Sequence, residues 1–168
     1  DENRNIFNEM IQNDNFHNVI FYGPPGTGKT STILCIIQEY QKRNNCKNNY
    51  IHLNASHDRG VSVVRNELYK FVSNKNFFNN KTKFVILDEV DSMTKQAQQN
   101  LDYLIQNSSN VFFCLICNYL NKLIDPLINK IMVINFYNTS QTSNDYITKI
   151  LENESKFIPE NVIEDYKF

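Results

Sequence analysis

The chain lacks any excess of basic charge. Its 168 residues include 17 lysines and arginines against 18 aspartates and glutamates, for a formal net charge of −1. This balance excludes the overall basic signature of many nucleic-acid-binding domains, so a nucleic-acid contact would need a local patch. The apolar runs are all too short to span a membrane, and the polar residues 1–4 do not resemble a signal peptide. We therefore expect a soluble intracellular protein with no membrane partner.

Cysteine is also sparse, with four residues in the whole chain. Cys114 and Cys117 have the C-x-x-C spacing, but they lie in an apolar run that is typical of a buried strand. Residues three apart on a strand point to opposite faces and cannot hold one metal ion. No second pair of ligands accompanies them, so we expect reduced thiols in the core.

Glycine and proline are scarce too, and the few that exist are concentrated in one segment. Three of the four glycines and two of the four prolines lie in residues 23–30. The segment follows the apolar run Val19–Tyr22 and precedes a helical pattern, which is the context of the phosphate-binding motif G-x-x-x-x-G-K-[ST]. The predicted nucleotide-binding residues are Gly23, Pro24, Pro25, Gly26, Thr27, Gly28, Lys29, Thr30 and Ser31.

This loop predicts a specific chemistry. Glycines allow backbone amides to turn inward around phosphate oxygens, and the start of the helix adds its dipole to the same anion. Lys29 is expected to reach the β- and γ-phosphates, and Thr30 offers a hydroxyl to Mg²⁺. The motif therefore indicates a nucleoside triphosphate with Mg²⁺ as the ligands.

Two further candidates follow predicted strands. Residues 83–87 read as a buried strand that ends in Asp88 and Glu89. Ligands of parallel α/β sheets gather at the carboxyl ends of strands, so Asp88 is predicted to hold Mg²⁺ through water and to contribute to the cofactor site. Glu89 is the best general base for polarising an attacking water. Asn118 follows the next strand and could hydrogen-bond the γ-phosphate or that water.

Strand-like and helical patterns alternate along the chain, which predicts a parallel sheet with helices on both faces. We expect a nucleotide-binding core in residues 1–137. The composition changes after Phe136, and residues 138–168 are expected to begin a further, truncated helical domain. The predicted strands are Val19–Tyr22, Tyr50–Leu53, Phe84–Leu87, Val111–Cys117 and Ile131–Phe136, and the predicted helices span 30–44, 61–73, 94–106 and 122–129.

Five blocks together resemble the small subunits of replication factor C, the sliding-clamp loader, an AAA+ ATPase that opens a ring-shaped clamp and places it on primer–template DNA. They cover about residues 16–136, in order. The blocks are Phe21–Ser31, Leu53–Ser56, Asp58–Gly60, Ile86–Thr94 and Phe113–Tyr119.

The resemblance implies a P-loop NTPase fold of the AAA+ type, with strand order 5-1-4-3-2 and a small helical lid in residues 138–168. It implies that Lys29 and Thr30 bind phosphate and Mg²⁺, that Asp88 holds the metal and that Glu89 activates water. Asn118 matches a sensor of the γ-phosphate. Its partners would be other clamp-loader subunits in a hetero-oligomeric ring, the clamp and primer–template DNA. It would act in a nucleus, or in a viral replication compartment.

Other family positions carry finer expectations. Arg59 matches an arginine that faces the DNA backbone, and Arg65 is a weaker candidate for the same work; without the resemblance both read as solvated charges. Helix 94–106 matches the clamp-facing edge, where Tyr103 or Leu104 could be contacts or could equally be core residues.

The chain departs from the family in several places. Lys130 stands where the family has an arginine that reaches a neighbouring subunit's ATP, and a lysine lacks the planar fork of a guanidinium. Asp102 and Tyr103 replace an arginine pair, and His57 stands where an acid is usual. We expect no segment before the first strand that closes over adenine, and no lid sensor or collar.

Three functions remain open at this point. The first is an ATP-hydrolysing subunit of a clamp loader, with weak turnover in isolation. The second is a nucleotide-binding scaffold subunit of the same kind of ring. The third is another AAA+ motor, such as a helicase loader or a branch-migration motor, although the blocks around Leu53–Ser56 and Cys117–Tyr119 favour the clamp loader.

Overall fold

The computed structural model describes residues 2–56, 61–74 and 81–136, without the side chains of residues 2–4 and 61–65. Its centre is a parallel five-stranded sheet. The strands are β1 (Val19–Tyr22), β2 (Tyr50–Asn54), β3 (Lys83–Asp88), β4 (Val111–Cys117) and β5 (Met132–Asn135). Their spatial order is β2-β3-β4-β1-β5, which confirms the order 5-1-4-3-2.

In the described residues, five α-helices connect or precede these strands. They are α1 (Glu2–Asn13), α2 (Lys29–Asn44), α3 (Val61–Ser73), α4 (Lys95–Gln106) and α5 (Asp125–Lys130), with short 3₁₀ turns at Val90–Ser92 and Leu120–Lys122. The boundaries of β1 and β4 are those the sequence predicted. Helix α4 begins after Thr94, whose hydroxyl accepts a hydrogen bond from the amide of Ala97 and caps the helix.

The two faces of the sheet are covered by different helices, as predicted. One face packs against α1 and α2, and the other packs against α3, α4 and α5. Helix residues buried on the first face are Phe7, Met10, Ile33, Ile36, Ile37 and Tyr40; those on the second are Leu68, Leu101, Leu104 and Leu127.

The two central cysteines lie on these opposite faces. Cys114 belongs to the core under α1 and α2, and Cys117 belongs to the core under α3, α4 and α5. Burial raises the pKa of the Cys114 thiol, and burial with the nearby Asp91 raises the pKa of Cys117 to about 12. Both are free thiols, and their placement in the core on opposite faces is the one that the sequence predicted.

Helix α1 was not predicted. Phe7 and Met10, three residues apart, face the sheet, and Phe16 after the helix packs its ring edge-on against Tyr40 and Phe84. Arg43 from α2 donates hydrogen bonds to the last carbonyls of α1, at Ile11 and Gln12. Helix α1 thus adds to the predicted elements, and the expectation that no segment before β1 closes over adenine stays a prediction.

One further prediction needs correction, and one open choice is decided by burial. The helix predicted over 122–129 is split, because Leu123 ends a 3₁₀ turn and α5 begins only at Asp125, with Pro126 in its first turn. Of the two possible surface contacts on α4, Leu104 is buried in the core and Tyr103 is 66% exposed. Only Tyr103 is available at that surface.

The predicted lid in residues 138–168 lies outside the described residues, and the domain boundary near 137 stays a prediction. Helices of the length and apolarity needed to cross a bilayer are absent from the described part of the chain.

Candidate nucleotide site at the carboxyl edge of the sheet

Three neighbouring strand ends bring the predicted site residues together. β4 lies between β1 and β3, so the segments that follow these strands meet at one edge. The glycine-rich loop follows β1, Asp88 ends β3, and Asn118 follows β4. The sheet topology thus brings Asp88 and Asn118 to Lys29, although they follow it in the sequence by 59 and 89 positions.

The loop has the conformation that its glycines predict. Gly26 and Gly28 have φ angles of 77° and 83°, in the left-handed region that other residues rarely adopt. Thr27 closes the loop by donating its hydroxyl proton to the carbonyl of Pro24 at 2.9 Å. Among the described residues, no acceptor is found for the backbone amides of Gly26 and Gly28. Backbone amides without an acceptor at the start of a helix are suited to binding an anion.

Lys29, the first residue of α2, is only 7% exposed. Its ammonium donates to the carbonyl oxygens of Gly23 and Pro24, both at 2.7 Å, and to Oδ1 of Asn118 at 3.1 Å. Burial lowers the pKa of Lys29, and the nearby carboxylates of Asp88 and Asp91 oppose that shift. The lysine therefore links the loop to the end of β4.

Thr30 and Asp88 form a second link. The hydroxyl of Thr30 donates to Oδ2 of Asp88 at 2.9 Å, and the imidazole of His52 on β2 lies 3.7 Å from the same oxygen. Asp88 Oδ1 accepts the amide of Glu89 at 3.0 Å. A hydroxyl and a carboxylate in contact supply the hard oxygen ligands that Mg²⁺ prefers, so these residues fit that ion.

Glu89 follows Asp88 in an unusual backbone conformation. Its φ of 55° and ψ of 40° lie in the left-handed region, which is uncommon for a residue with a side chain. Its carbonyl accepts both the amide and the hydroxyl of Ser92, at 2.9 and 2.7 Å. Glu89 is exposed at the same edge as Lys29 and Asn118. Strained residues of this kind cluster at functional sites.

The remaining predicted residues fall elsewhere. Ser31 lies exposed in the first turn of α2, directly after Thr30. Lys130 is the last residue of α5, and its ammonium lies 3.5 Å from the carboxylate of Asp102 on α4. Arg59 lies outside the described residues, as does His57; Arg65 belongs to α3, but its side chain is not described. Their predicted contacts with DNA stay predictions.

Sequence reasoning gave no role to three residues that the fold brings into play. His52 reaches Asp88 from β2, and Asp91 accepts the amides that follow β4. Asp102 pairs with Lys130, although the sequence suggested no contact between these two positions. The spacing of Asp91 three residues after Asp88 was a visible signal, whereas the other two contacts join distant segments. In the described part of the chain, no group of three or more His, Cys, Asp and Glu side chains forms a metal cluster.

Comparison with known proteins agrees with this geometry. The family model "ATPase family associated with various cellular activities (AAA)" matches residues 19–138, which is most of the chain. This chain belongs to the AAA family. The match begins at β1 and includes all the strands that carry the site.

Curated relatives of this AAA chain confirm the resemblance to replication factor C. It is 44% identical over 120 residues to replication factor C subunit 5 of Mus musculus, covering 71% of this chain and 35% of that protein. It is 44% identical over 116 residues to subunit 3 of Schizosaccharomyces pombe, covering 68% and 34%. The chain thus spans about a third of the length of these relatives.

Solved structures of lower identity share the AAA fold. A DNA polymerase III gamma subunit-related protein of Thermotoga maritima matches with a TM-score of 0.67 at 12% identity, over 86% of this chain and 48% of that one. The RuvB Holliday junction branch migration motor of Thermotoga maritima also gives 0.67, at 15% identity, over 89% and 48%. At these identities the likeness supports the fold alone.

Proposed function

We propose that this AAA chain binds ATP with Mg²⁺ at the carboxyl edge of its sheet and hydrolyses the ATP as a subunit of a clamp loader. The observation that carries the proposal is the joining of three strand ends by two side-chain contacts. Lys29 bonds Asn118, and Thr30 bonds Asp88. Phosphoryl transfer uses the groups that meet here: a glycine loop, a buried lysine, a hydroxyl–carboxylate pair and an amide.

Each group has a distinct role in this proposal. The amides of Gly26–Gly28 and the Lys29 ammonium hold the phosphates, and Thr30 with Asp88 holds the metal. Mg²⁺, when bound, supplies neutralisation of the charge that develops on the transferred phosphoryl group. Because Lys29 is buried, its charge acts in a medium of low dielectric and is screened less than a surface lysine.

Glu89 is proposed as the residue that polarises the attacking water, and Asn118 as the residue that contacts the γ-phosphate. The exposed carboxylate of Glu89 lies beside the metal-holding Asp88 and is held in a turn closed by Ser92. A fixed backbone with an accessible carboxylate suits a general base, since the base must reach the proton without reorganising.

Partners are proposed from the relatives' names. Proteins called replication factor C subunits are parts of an assembly by that wording, so we propose that this chain works in a hetero-oligomeric ring with a sliding clamp and primer–template DNA. Arg59 and Arg65 are proposed for the DNA backbone, and Lys130 for a weak contact with the neighbouring subunit's ATP that does not trigger its hydrolysis. The named relatives are eukaryotic, which favours a nucleus as the location.

The test is steady-state ATP hydrolysis by the full-length protein assembled with its partner subunits, with and without clamp and primed DNA. Glu89→Gln removes the base and keeps the size of the side chain, so we expect hydrolysis to fall by about 10²-fold or more while ATP still binds. Glu39→Gln on the exposed side of α2 is the matched control and is expected to hydrolyse normally. Equal activity of Glu89→Gln and Glu39→Gln would contradict the proposal.

A second function, a nucleotide-binding scaffold, is favoured by one observation. Lys130 replaces the planar guanidinium that a trans-acting finger uses, and it lies beside Asp102, which opposes its charge. A scaffold subunit would bind ATP tightly and show no turnover with clamp, DNA or partners. The hydrolysis measurement above separates the two functions.

A further inference from the structure

Asp91 makes a pair of hydrogen bonds that the proposed roles do not use. Its Oδ2 accepts the backbone amide of Tyr119 at 3.1 Å and that of Asn118 at 3.4 Å. Asp91 lies in the 3₁₀ turn after β3, and the two amides lie directly after β4. One carboxylate oxygen therefore ties together the segments that follow two neighbouring strands.

The position of Asp91 is itself fixed. The preceding residue, Val90, is fully buried in the core, and the turn is closed by the amide and hydroxyl of Ser92 on the carbonyl of Glu89. The amide of Met93 also returns to the carbonyl of Val90 at 3.1 Å. Asp91 thus projects from a turn that is anchored at both of its ends.

The tie continues to the phosphate-binding lysine. The backbone amide of Asn118 donates to Asp91, and the side-chain Oδ1 of Asn118 accepts a hydrogen bond from the Lys29 ammonium at 3.1 Å. The charge of Asp91 also reaches this region, since its carboxylate counteracts the lowering of the Lys29 pKa by burial. Asp91, Asn118 and Lys29 form one hydrogen-bonded series that crosses β3, β4 and β1.

We infer that Asp91 is a positioning residue that fixes the Asn118 side chain where it can distinguish a γ-phosphate. The inference rests on the proposed nucleotide function and names the residue that controls the sensor. If the backbone at Asn118 were free to move, the Oδ1 and Nδ2 atoms of its side chain would occupy several different positions. Contacts of this kind lose much of their effect when the group is displaced by about 1 Å.

The ionised carboxylate matters for this task. Hydrogen bonds from amides to a charged acceptor are roughly twice as strong as those to a neutral one. Asp91→Asn keeps an oxygen acceptor and loses the charge, whereas Asp91→Ala loses both. We therefore expect the asparagine variant to lie between the wild type and the alanine variant in every measurement that reports on Asn118.

The experiment measures the dissociation constants of ATP and ADP, and kcat and KM for hydrolysis, in the full-length protein assembled with its partner subunits. Asp91→Ala is expected to reduce the preference for ATP over ADP by about tenfold, the equivalent of one lost hydrogen bond. The kcat should fall in parallel while the ADP affinity, which does not involve the γ-phosphate, stays within about twofold. Asp125→Asn, an exposed acid at the start of α5, is the matched control.

A double-mutant cycle separates positioning from a general stabilisation of the turn. In an Asn118→Ala background, Asp91→Ala is expected to change the ATP-to-ADP preference by less than about twofold, because the two residues act as one unit. The same tenfold loss in that background, or an unchanged preference in Asp91→Ala alone, would overturn the inference. If Asp91→Ala does not fold, the same ATP-to-ADP preference is measured for Asp91→Asn, alone and with Asn118→Ala.

The proposed function fails in a different way. A wild-type protein that binds neither ATP nor ADP would overturn the nucleotide function and this inference with it. A wild type that prefers ATP, with an Asp91→Ala variant of equal preference, overturns the inference alone.

Discussion

Two buried lysines, Lys29 and Lys83, look alike by the usual indicators. Each is 7% exposed, and burial lowers the pKa of each. Each ammonium also donates to backbone carbonyls. Lys29 bonds Gly23 and Pro24, and Lys83 bonds three carbonyls at 2.6 to 2.9 Å, those of Phe71, Val72 and Asn74.

Their surroundings differ. Lys83 begins β3, and its carbonyl partners lie at the end of α3, where a cation satisfies orphan carbonyls and complements the helix dipole. Lys29 begins α2 at the opposite ends of the strands, with Asp88, Asp91 and Asn118 around it. Burial and a lowered pKa therefore do not identify a functional lysine. The carboxylates and amide around Lys29 support its proposed role in phosphate binding.

The largest expected effect follows from removing the two charges in turn. Lys29→Met should weaken ATP binding by about 10²-fold or more, because a charge-assisted contact to phosphate is lost inside a buried site. Lys83→Met, its matched control, should bind ATP within about twofold of the wild type. Isothermal titration of both variants measures this, and a Lys83→Met variant that is folded yet fails to bind ATP would remove the distinction.

Stability should show the reverse order. Lys83→Met leaves three carbonyls at the end of α3 without their ammonium donor, which we expect to lower the free energy of unfolding by about 1–3 kcal/mol. Lys29→Met should cost less, because it deprives only two backbone carbonyls of their ammonium donor, and one of them belongs to the exposed residue Pro24. Denaturant unfolding of the two variants without nucleotide provides the comparison.

Alkaline pH sharpens the comparison further. A lysine whose pKa is lowered by folding releases its proton before the unfolded chain does. Between that lowered pKa and 10.5 the unfolded state therefore binds more protons, and stability rises with pH. Relative to each Lys→Met variant, the wild type should gain up to about 1.4 kcal/mol per pH unit from that lysine. ATP should flatten the gain from Lys29 and leave that from Lys83 unchanged, as unfolding between pH 8 and 10.5 would reveal.

The smallest effect belongs to the exposed Lys130. It is 53% exposed and 3.5 Å from Asp102, a geometry worth at most about 1 kcal/mol in stability. We expect Lys130→Ala to change a partner subunit's ATP hydrolysis by less than about twofold, because a lysine lacks the bidentate fork of an arginine finger. A large loss in the assembled complex would instead give Lys130 a role in the partner's hydrolysis.

The sequence predicted the strands closely because each is a short apolar run bounded by polar residues. β1 and β4 have the predicted bounds, and β2 and β3 extend by only one or two residues. Helix α1 escaped prediction because its apolar positions, such as Phe7 and Met10, are few among polar residues. The face of α4 was ambiguous for a similar reason, since periodicity alone did not separate Leu104 from Tyr103.

The candidate site was predictable where it consists of local motifs. The glycine loop with Lys29 and Thr30 can be read from residue order, since the backbone requirement of each glycine is local. The tie from Asp91 to residues 118 and 119, and the pairing of Asp102 with Lys130, could not be read in this way. These contacts join segments more than 25 residues apart. The donors to Asp91 are also backbone amides, which give no signal in the sequence.

By itself, then, the sequence determined the loop, the strands and the kind of ligand that the loop suits, because φ preferences, apolar runs and side-chain chemistry are properties of neighbouring residues. Only the tertiary structure decided which of two buried lysines faces carboxylates and which caps a helix. That choice depends on strand order: β4 lies between β1 and β3, and so brings Asn118 and Asp88 to Lys29. Lys83, at the other end of β3, donates to the backbone carbonyls at the end of α3 and lies over the Phe71 ring.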